Sequence, residues 1–285
     1  MVQIDEVRPS PIAGTWYAGS PDVLTEQVNN FLSEVRPPVI HGKIIGLVVP
    51  HAGHRYSGPT AAYAYRLVQG LDFDLVIIIS PSHAYYPGEV ITSAHLSYAT
   101  PLGRVSIHPQ ALSQFEKAAE KEKINFEKVA YDEEHSIEIQ LPFLQRTLEG
   151  NFQLLPLMMR SQSLETVTKT AKCLVPILKK YRCLLVASSD LSHFYPQDIA
   201  DALDEEMLRR IESFSPEKVL EAEANGAGSA CGAGPIAAVL IAARAVGADH
   251  VKILNHSTSG DITGDLTSVV GYGAAVIYAR DSDSN

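Results

Sequence analysis

Short apolar runs alternate with amphipathic segments along nearly the whole chain. The run KIIGLVV, Lys43–Val49, is rich in β-branched residues and stops at Pro50-His51. Leu75–Ile79 is a second such run and ends in Ser80-Pro81-Ser82-His83. Cys183–Ala187 is a third and ends in Ser188-Ser189-Asp190-Leu191-Ser192-His193. Continuous apolar runs of this length, bounded by turn residues, read as strands buried on both faces. Phe152–Met158, Val251–Leu254 and Gly271–Tyr278 read the same way, and Glu89–Ser93 and Arg104–His108 as short strands forming an excursion from the main sheet.

Between them the apolar period lengthens to that of a helix. Helices are predicted from Pro21, with Ser20 as N-cap, to about Glu34, then over 60–69, 110–122 and 137–148. Others follow over 164–180, with a kink or early stop at Pro176, and over 197–212, 216–224 and 235–246. Thr258–Gly264 reads as a polar loop and the final DSDSN as a frayed tail. The alternation predicts an α/β fold: a single domain over 1–285, with a mostly parallel sheet flanked by helices on both faces.

Composition narrows the class without changing the fold. With 23 Lys plus Arg against 33 Asp plus Glu, the formal net charge is −10, and no basic block is present. That disfavours nucleic acid as a partner. The 3 cysteines include no Cys-x-x-Cys pair, so neither a disulfide framework nor a zinc ribbon is expected. The N-terminus lacks the apolar core of a signal peptide, and no window is long enough to span a bilayer, so a cytoplasmic, soluble protein is expected.

The chemistry gathers at the strand ends. His51 and His83 follow equivalent runs, and neutral imidazole suits zinc, copper, iron and nickel. Each also has an inert reading as a hydrogen-bonded turn residue. Cys231 lies among Gly, Ser and Ala just before a helix, where a thiol is expected to have a lowered pKa. Cys173 and Cys183 read as core. In SSDLSHF, His193 is a candidate acid/base or further ligand and Asp190 its orienting partner; the inert alternative is an Asx-turn with a helix cap. Glu134 and Ser136 read as caps of the following helix, and His135 as a residue able to reach the same pocket.

At these residues the chain resembles the Memo family, also called AmmeMemoRadiSam system protein B. The matching segments are AGTWYAGS, VVPHAGHRYSGP, SPSHAYY, DEEHSIEIQLPFL, LVASSDLSHFY and ACGAGPIAAVL, in that order from residue 13 to about 240. The resemblance implies a fold like that of class III extradiol dioxygenases, which hold non-haem iron with two histidines and a glutamate and cleave catechol-type rings with O₂. It carries over His51 and His83 as metal ligands, with Cys231 where those enzymes place the carboxylate. It places His193 and Asp190 in the pocket and Trp16 at its mouth as a substrate-binding residue. His54 stands where the family often has tyrosine, implying either a further pocket imidazole or a solvent-facing one. The implied cofactor is a transition metal, iron or copper first and zinc next, and the implied partner is a radical-SAM protein. Three readings follow: a metal-dependent oxidoreductase, a non-catalytic peptide or small-molecule binding module using the same pocket, and a metal-free cysteine hydrolase.

Overall fold

The computed structural model describes residues 5–281; all of the DSDSN tail but Asp281 lies outside them. In chain order, β1 (Val7–Arg8) leads to α1 (Pro21–Glu34), β2 (Gly42–Val49), α2 (His54–Leu67) and β3 (Leu75–Pro81). Next come β4 (Val90–Ser93), β5 (Ser97–Thr100), β6 (Gly103–Ser106), α3 (Pro109–Glu122) and β7 (Phe126–Val129). A 3₁₀ turn, Glu138–Gln140, opens α4 (Leu141–Thr147), followed by β8 (Gln153–Met159), α5 (Leu164–Leu178), β9 (Cys183–Ser188) and β10 (His193–Tyr195). The chain closes with α6 (Gln197–Glu212), α7 (Pro216–Asn225), α8 (Ala233–Arg244), β11 (His250–Thr258), α9 (Gly260–Thr263) and β12 (Val269–Arg280).

The main sheet runs β10-β12-β2-β9-β3-β8-β4-β7, with β11 also on β12. Its centre, β2-β9-β3-β8, is parallel; β12 on one side and β4 on the other are antiparallel to it. The sheet is therefore mixed, and the parallel part is the part with continuous apolar runs. Every residue of β3 is buried, as a strand covered on both faces requires. Helices flank it, α8 lying along β9 and β3 and α2 along β2 and β12. No helix of the described residues is long and apolar enough to cross a membrane.

Several expectations shift in detail. The second helix begins at His54, six residues early, and runs through Pro59. Proline there forfeits only a bond to the carbonyl of Arg55, a residue exposed to water. Ser20 and Pro21 stand where expected, but the Ser20 hydroxyl makes no cap bond. α5 likewise continues through Pro176, to Leu178. Thr258–Gly264 contains the short helix α9. Of the expected excursion, β4 belongs to the main sheet, whereas β6 joins β5 and the N-terminal β1 in a separate three-stranded sheet. β7 was not anticipated from the pattern, because only its two end residues are even half-buried.

The N-terminal strand is fixed by a buried ion network. Arg8, fully buried, reaches Asp132 at 2.8 Å and Glu138 at 2.6 Å, and donates to the carbonyls of Asp132 and Glu134 at 3.0 and 2.7 Å. Its guanidinium also lies 4.8 Å from the Tyr98 ring centroid. Tyr17 donates to Glu138 at 2.7 Å, so the Trp16 loop is tied to the same cluster. Breaking a buried network by removing one partner strands the remaining charges in low dielectric. Arg8→Ala should therefore lower unfolding stability by about 3–5 kcal/mol in urea denaturation. A loss under about 1 kcal/mol would show that water replaces the guanidinium at little cost.

Candidate metal centre

Three neighbouring strands deliver the site. Pro50 ends β2 and His51 follows; His83 lies two residues beyond β3; Asp190 lies two beyond β9, the strand between them. Cys231 comes from the turn before α8 and points in from the side.

His51 is buried, and the orientation of its ring follows from one hydroxyl. Ser188 Oγ donates its only proton to the Ser136 carbonyl at 2.6 Å. It must then accept from Gln140 Nε2 at 2.9 Å and from His51 Nδ1 at 3.0 Å. The His51 proton is thereby held on Nδ1, and the bare Nε2 faces Cys231 Sγ at 3.2 Å. His83 is set the same way. Its Nδ1 lies 3.0 Å from Glu134 Oε1, and an ionised carboxylate only accepts, so Nε2 is again left free. Glu134 also takes the backbone N–H groups of His83 at 2.6 Å and Ser136 at 3.0 Å. Burial alone would raise the Glu134 pKa, but His83 overrides it and holds the carboxyl well below the usual range. Burial lowers the His83 pKa, and Glu134 more than offsets it, leaving the imidazole above its ordinary value. Glu134 thus orients the His83 imidazole and is not only a cap.

The Cys231 turn is clamped from both sides. Gln162 donates Nε2 to the Cys231 carbonyl at 2.8 Å and accepts from the Gly234 amide at 2.6 Å. Gly232 donates to Ser189 Oγ at 2.8 Å, and a Cβ there would lie 2.7 Å from the Ser188 carbonyl oxygen, so only glycine fits. The lowered thiol pKa expected at this helix start is reversed: burial, reinforced by the charge of Asp190, pushes the thiol up. The helix terminus does not outweigh a sulfur held out of water.

Asp190 does not orient His193. Its Oδ1 accepts from the amides of His51 at 2.6 Å and Ala52 at 3.2 Å, and its Oδ2 lies 4.0 Å from His51 Nε2. Burial pushes its pKa up to about 7 against those two amides. His193 lines the same cavity, its pKa lowered mainly by burial. The loop bearing both is fixed from behind by Asp204 of α6, which accepts the Ser192 amide at 2.9 Å and contacts His256 at 2.9 Å. Asp204 passes so close to Gly271 that a Cβ there would sit 1.8 Å from its Oδ2.

His135 stacks on His83, with centroids 4.8 Å apart, and on Trp16 at 4.2 Å. Burial, then the charge of His83, brings its pKa to about 4 against the pull of Glu134. Trp16 stands at the wall of the cavity because its carbonyl accepts the His54 amide at 2.8 Å. The cavity has a volume of about 620 Å³ and is lined by His51, His83, His135, His193, Asp190 and Trp16, together with Tyr56, Phe194 and the buried Tyr272.

Two expectations fail at other residues. His54 faces neither pocket nor solvent: it is buried against Phe143 and Tyr17 and bonds the Ile139 carbonyl at 3.0 Å. Cys183 is only partly buried at the start of its strand, while Cys173 is core as expected.

The donor set fits a transition metal. One ligand atom each from His51, His83 and Cys231 lies within 4.8 Å of the other two, and each histidine holds its second nitrogen on a fixed acceptor. Two imidazoles with a thiol suit zinc, copper or iron and exclude the all-oxygen preference of magnesium and calcium. A second grouping, His83 with Glu134 and His135, shares a ligand with the first.

An α/β protein in which two histidines and a cysteine lie close enough that they could hold a metal ion is thereby defined. Residues 8–276 match the family model described as Memo-like protein. The chain is similar to the MEMO1 family protein of Nitrosopumilus maritimus, 34% identical over 272 residues that cover 94% of this chain and 98% of the relative. It is similar to that of Methanocaldococcus jannaschii, 34% identical over 290 residues, covering 96% and 100%. It is also similar to that of Saccharolobus solfataricus, 34% identical over 281 residues, covering 94% and 98%. The chain belongs to the Memo-like family.

His54 supplies a pH test away from the donors. Burial lowers its pKa from 6.5 to about 4, so the unfolded chain binds this proton first as pH falls. The stability tied to neutral His54 is present above pH 6.5 and is lost between there and about pH 4, by about 3 kcal/mol. His54→Gln keeps a donor for the Ile139 carbonyl and cannot titrate. Unfolding curves between pH 4 and 7 should be flatter in this variant by about one proton's contribution; an unchanged slope would show that His54 is protonated in the folded protein.

Proposed function

We propose that this protein is a metal-dependent oxidoreductase whose iron or copper, or less productively zinc, is held by His51, His83 and Cys231. The observation that carries this reading is the convergence of three donors whose histidines are both oriented with Nε2 free. When bound, a redox-active ion there supplies electron transfer and Lewis acidity.

The other roles belong to the chain itself. The Cys231 thiol sheds its proton as the sulfur becomes a ligand, and His51 Nε2, 3.2 Å away, cannot keep that proton because it is itself a donor atom. Asp190, with its pKa near 7, holds or releases a proton at neutral pH. His193 and His135 line the cavity as largely neutral imidazoles able to accept a proton from substrate. Trp16 packs against His135 at the wall of the cavity. A His₂Cys set differs from the two-histidine, one-carboxylate set of ring-cleaving iron enzymes, so the proposal stops at redox chemistry. The extradiol dioxygenase likeness and a functional link to a radical-SAM protein rest on the family resemblance.

The binding-module reading draws on the aromatic wall of the cavity, which would hold a ligand with or without a metal. The metal-free hydrolase reading loses ground, because burial and Asp190 raise the thiol pKa where a nucleophile needs it lowered.

Elemental analysis of protein purified without added metal should find iron or copper near one per chain. Cys231→Ser should weaken metal affinity by at least about 10–100-fold in titration, and Cys231→Asp should recover part of it with a shift toward iron. Cys173→Ser should lower the melting temperature and leave affinity unchanged. Affinity should also fall on acidification, since each ligand must shed its proton. Parent-like affinity in Cys231→Ser would remove Cys231 from the site and leave the thiolate redox reading without support.

A further inference from the structure

Beyond the donor residues, the cavity has a second character that its metal chemistry does not use. Its lining includes Trp16, Tyr56 and Phe194, each at least partly exposed, and the buried ring of Tyr272, around a volume of about 620 Å³ that is large enough for a small organic molecule. Phe194 is 74% exposed and holds φ at +65°, the left-handed region that bulky residues avoid. That conformation coincides with the register shift between His193 and Tyr195 in the β10–β12 pairing, and it leaves the ring exposed beside the cavity.

Among the described residues no lysine or arginine lines the cavity, and His83, whose pKa Glu134 raises, is paired with that buried carboxylate 3.0 Å away. An exposed carboxylate, Asp265, lines it between Thr263 and Ser268. Asp265 is held by the Thr267 amide at 2.9 Å and hydroxyl at 2.6 Å, which keep its pKa below the usual carboxylate range. An anionic ligand would lose its hydration here and find no lysine or arginine in exchange. A cation would meet Asp265 and the faces of the aromatic rings.

We infer that the cavity selects ligands with a flat apolar body and a protonated amine, and rejects the corresponding carboxylates. The inference rests on the proposed site only in that the same cavity opens onto His51 and His83. The aromatic rings hold the body and Asp265 the ammonium, leaving the inner end of the ligand toward the histidines.

Trp16 is the chain's single tryptophan and stacks on His135, so its emission reports this cavity alone. The test titrates that emission at neutral pH with phenethylamine, 2-phenylethanol and 3-phenylpropanoate, on metal-stripped and metal-loaded protein of measured metal content. Phenethylamine should bind about tenfold more tightly than 3-phenylpropanoate in the metal-stripped protein. Asp265→Asn, a change at an exposed residue, should erase most of that preference and leave 2-phenylethanol unchanged. Equal or tighter binding of the carboxylate, or no response to any of the three, would overturn the inference. Amine preference in a protein that binds no metal would sustain it while sinking the metal reading; metal binding without amine preference would do the reverse.

Discussion

The site depends on the single hydroxyl proton of Ser188. Donated to the Ser136 carbonyl, it obliges the oxygen to accept from both Gln140 and His51. That one assignment fixes the His51 tautomer, aims Nε2 at Cys231 and joins β9 to the segment bearing Glu134 and His135. A serine at a strand end is an inexpensive anchor, since its side chain has few rotamers to lose. The hydroxyl is fully buried, so its bonds are made in low dielectric, where leaving one unmade is costly.

Around this bond the protein accumulates buried charge that packing alone would not select. Arg8 is buried between Asp132 and Glu138, Glu134 beneath His83, Asp190 behind His51, and Asp204 against Gly271. Each ties a loop to a neighbour distant in sequence: residue 8 to 132, 83 to 134, 51 to 190, 192 to 204. Burying such groups is costly, and the loops they hold are those that carry the candidate donors and the cavity wall. The stiff parallel strands supply position, and the buried carboxylates supply orientation.

How much of this was legible in the sequence depended on range. The three strand-end turns stood out because their apolar runs have a local pattern, and β9 indeed lies between β2 and β3. The helix over 197–212 matched its limits because its periodicity is local too. The start of α2 was missed because Pro59 reads as a boundary and is tolerated inside. His54 read as a pocket or surface group because nothing nearby in sequence announces that Phe143 will cover it. The roles of Ser188, Gln140, Gln162 and Asp204 were invisible for the same reason: each acts through a hydrogen bond across the fold. The thiol of Cys231 illustrates a different limit. Its helix start was legible, but its desolvation and the nearness of Asp190 are tertiary facts, and they decide its acidity.

The clamping of both imidazoles on their far nitrogens has one more consequence. The donors are oriented by serine, glutamine and carboxylate partners of the chain itself, so the arrangement does not wait for an ion to assemble it. Such a protein differs from a zinc finger, in which metal affinity and folding are the same free energy. In the proposed function, loss of the ion would leave a folded, pre-set receptor, and the identity of its next occupant would be governed by which ions are exchangeable around it as much as by the pocket. The occupancy of such a site would record the metal supply that the protein had met.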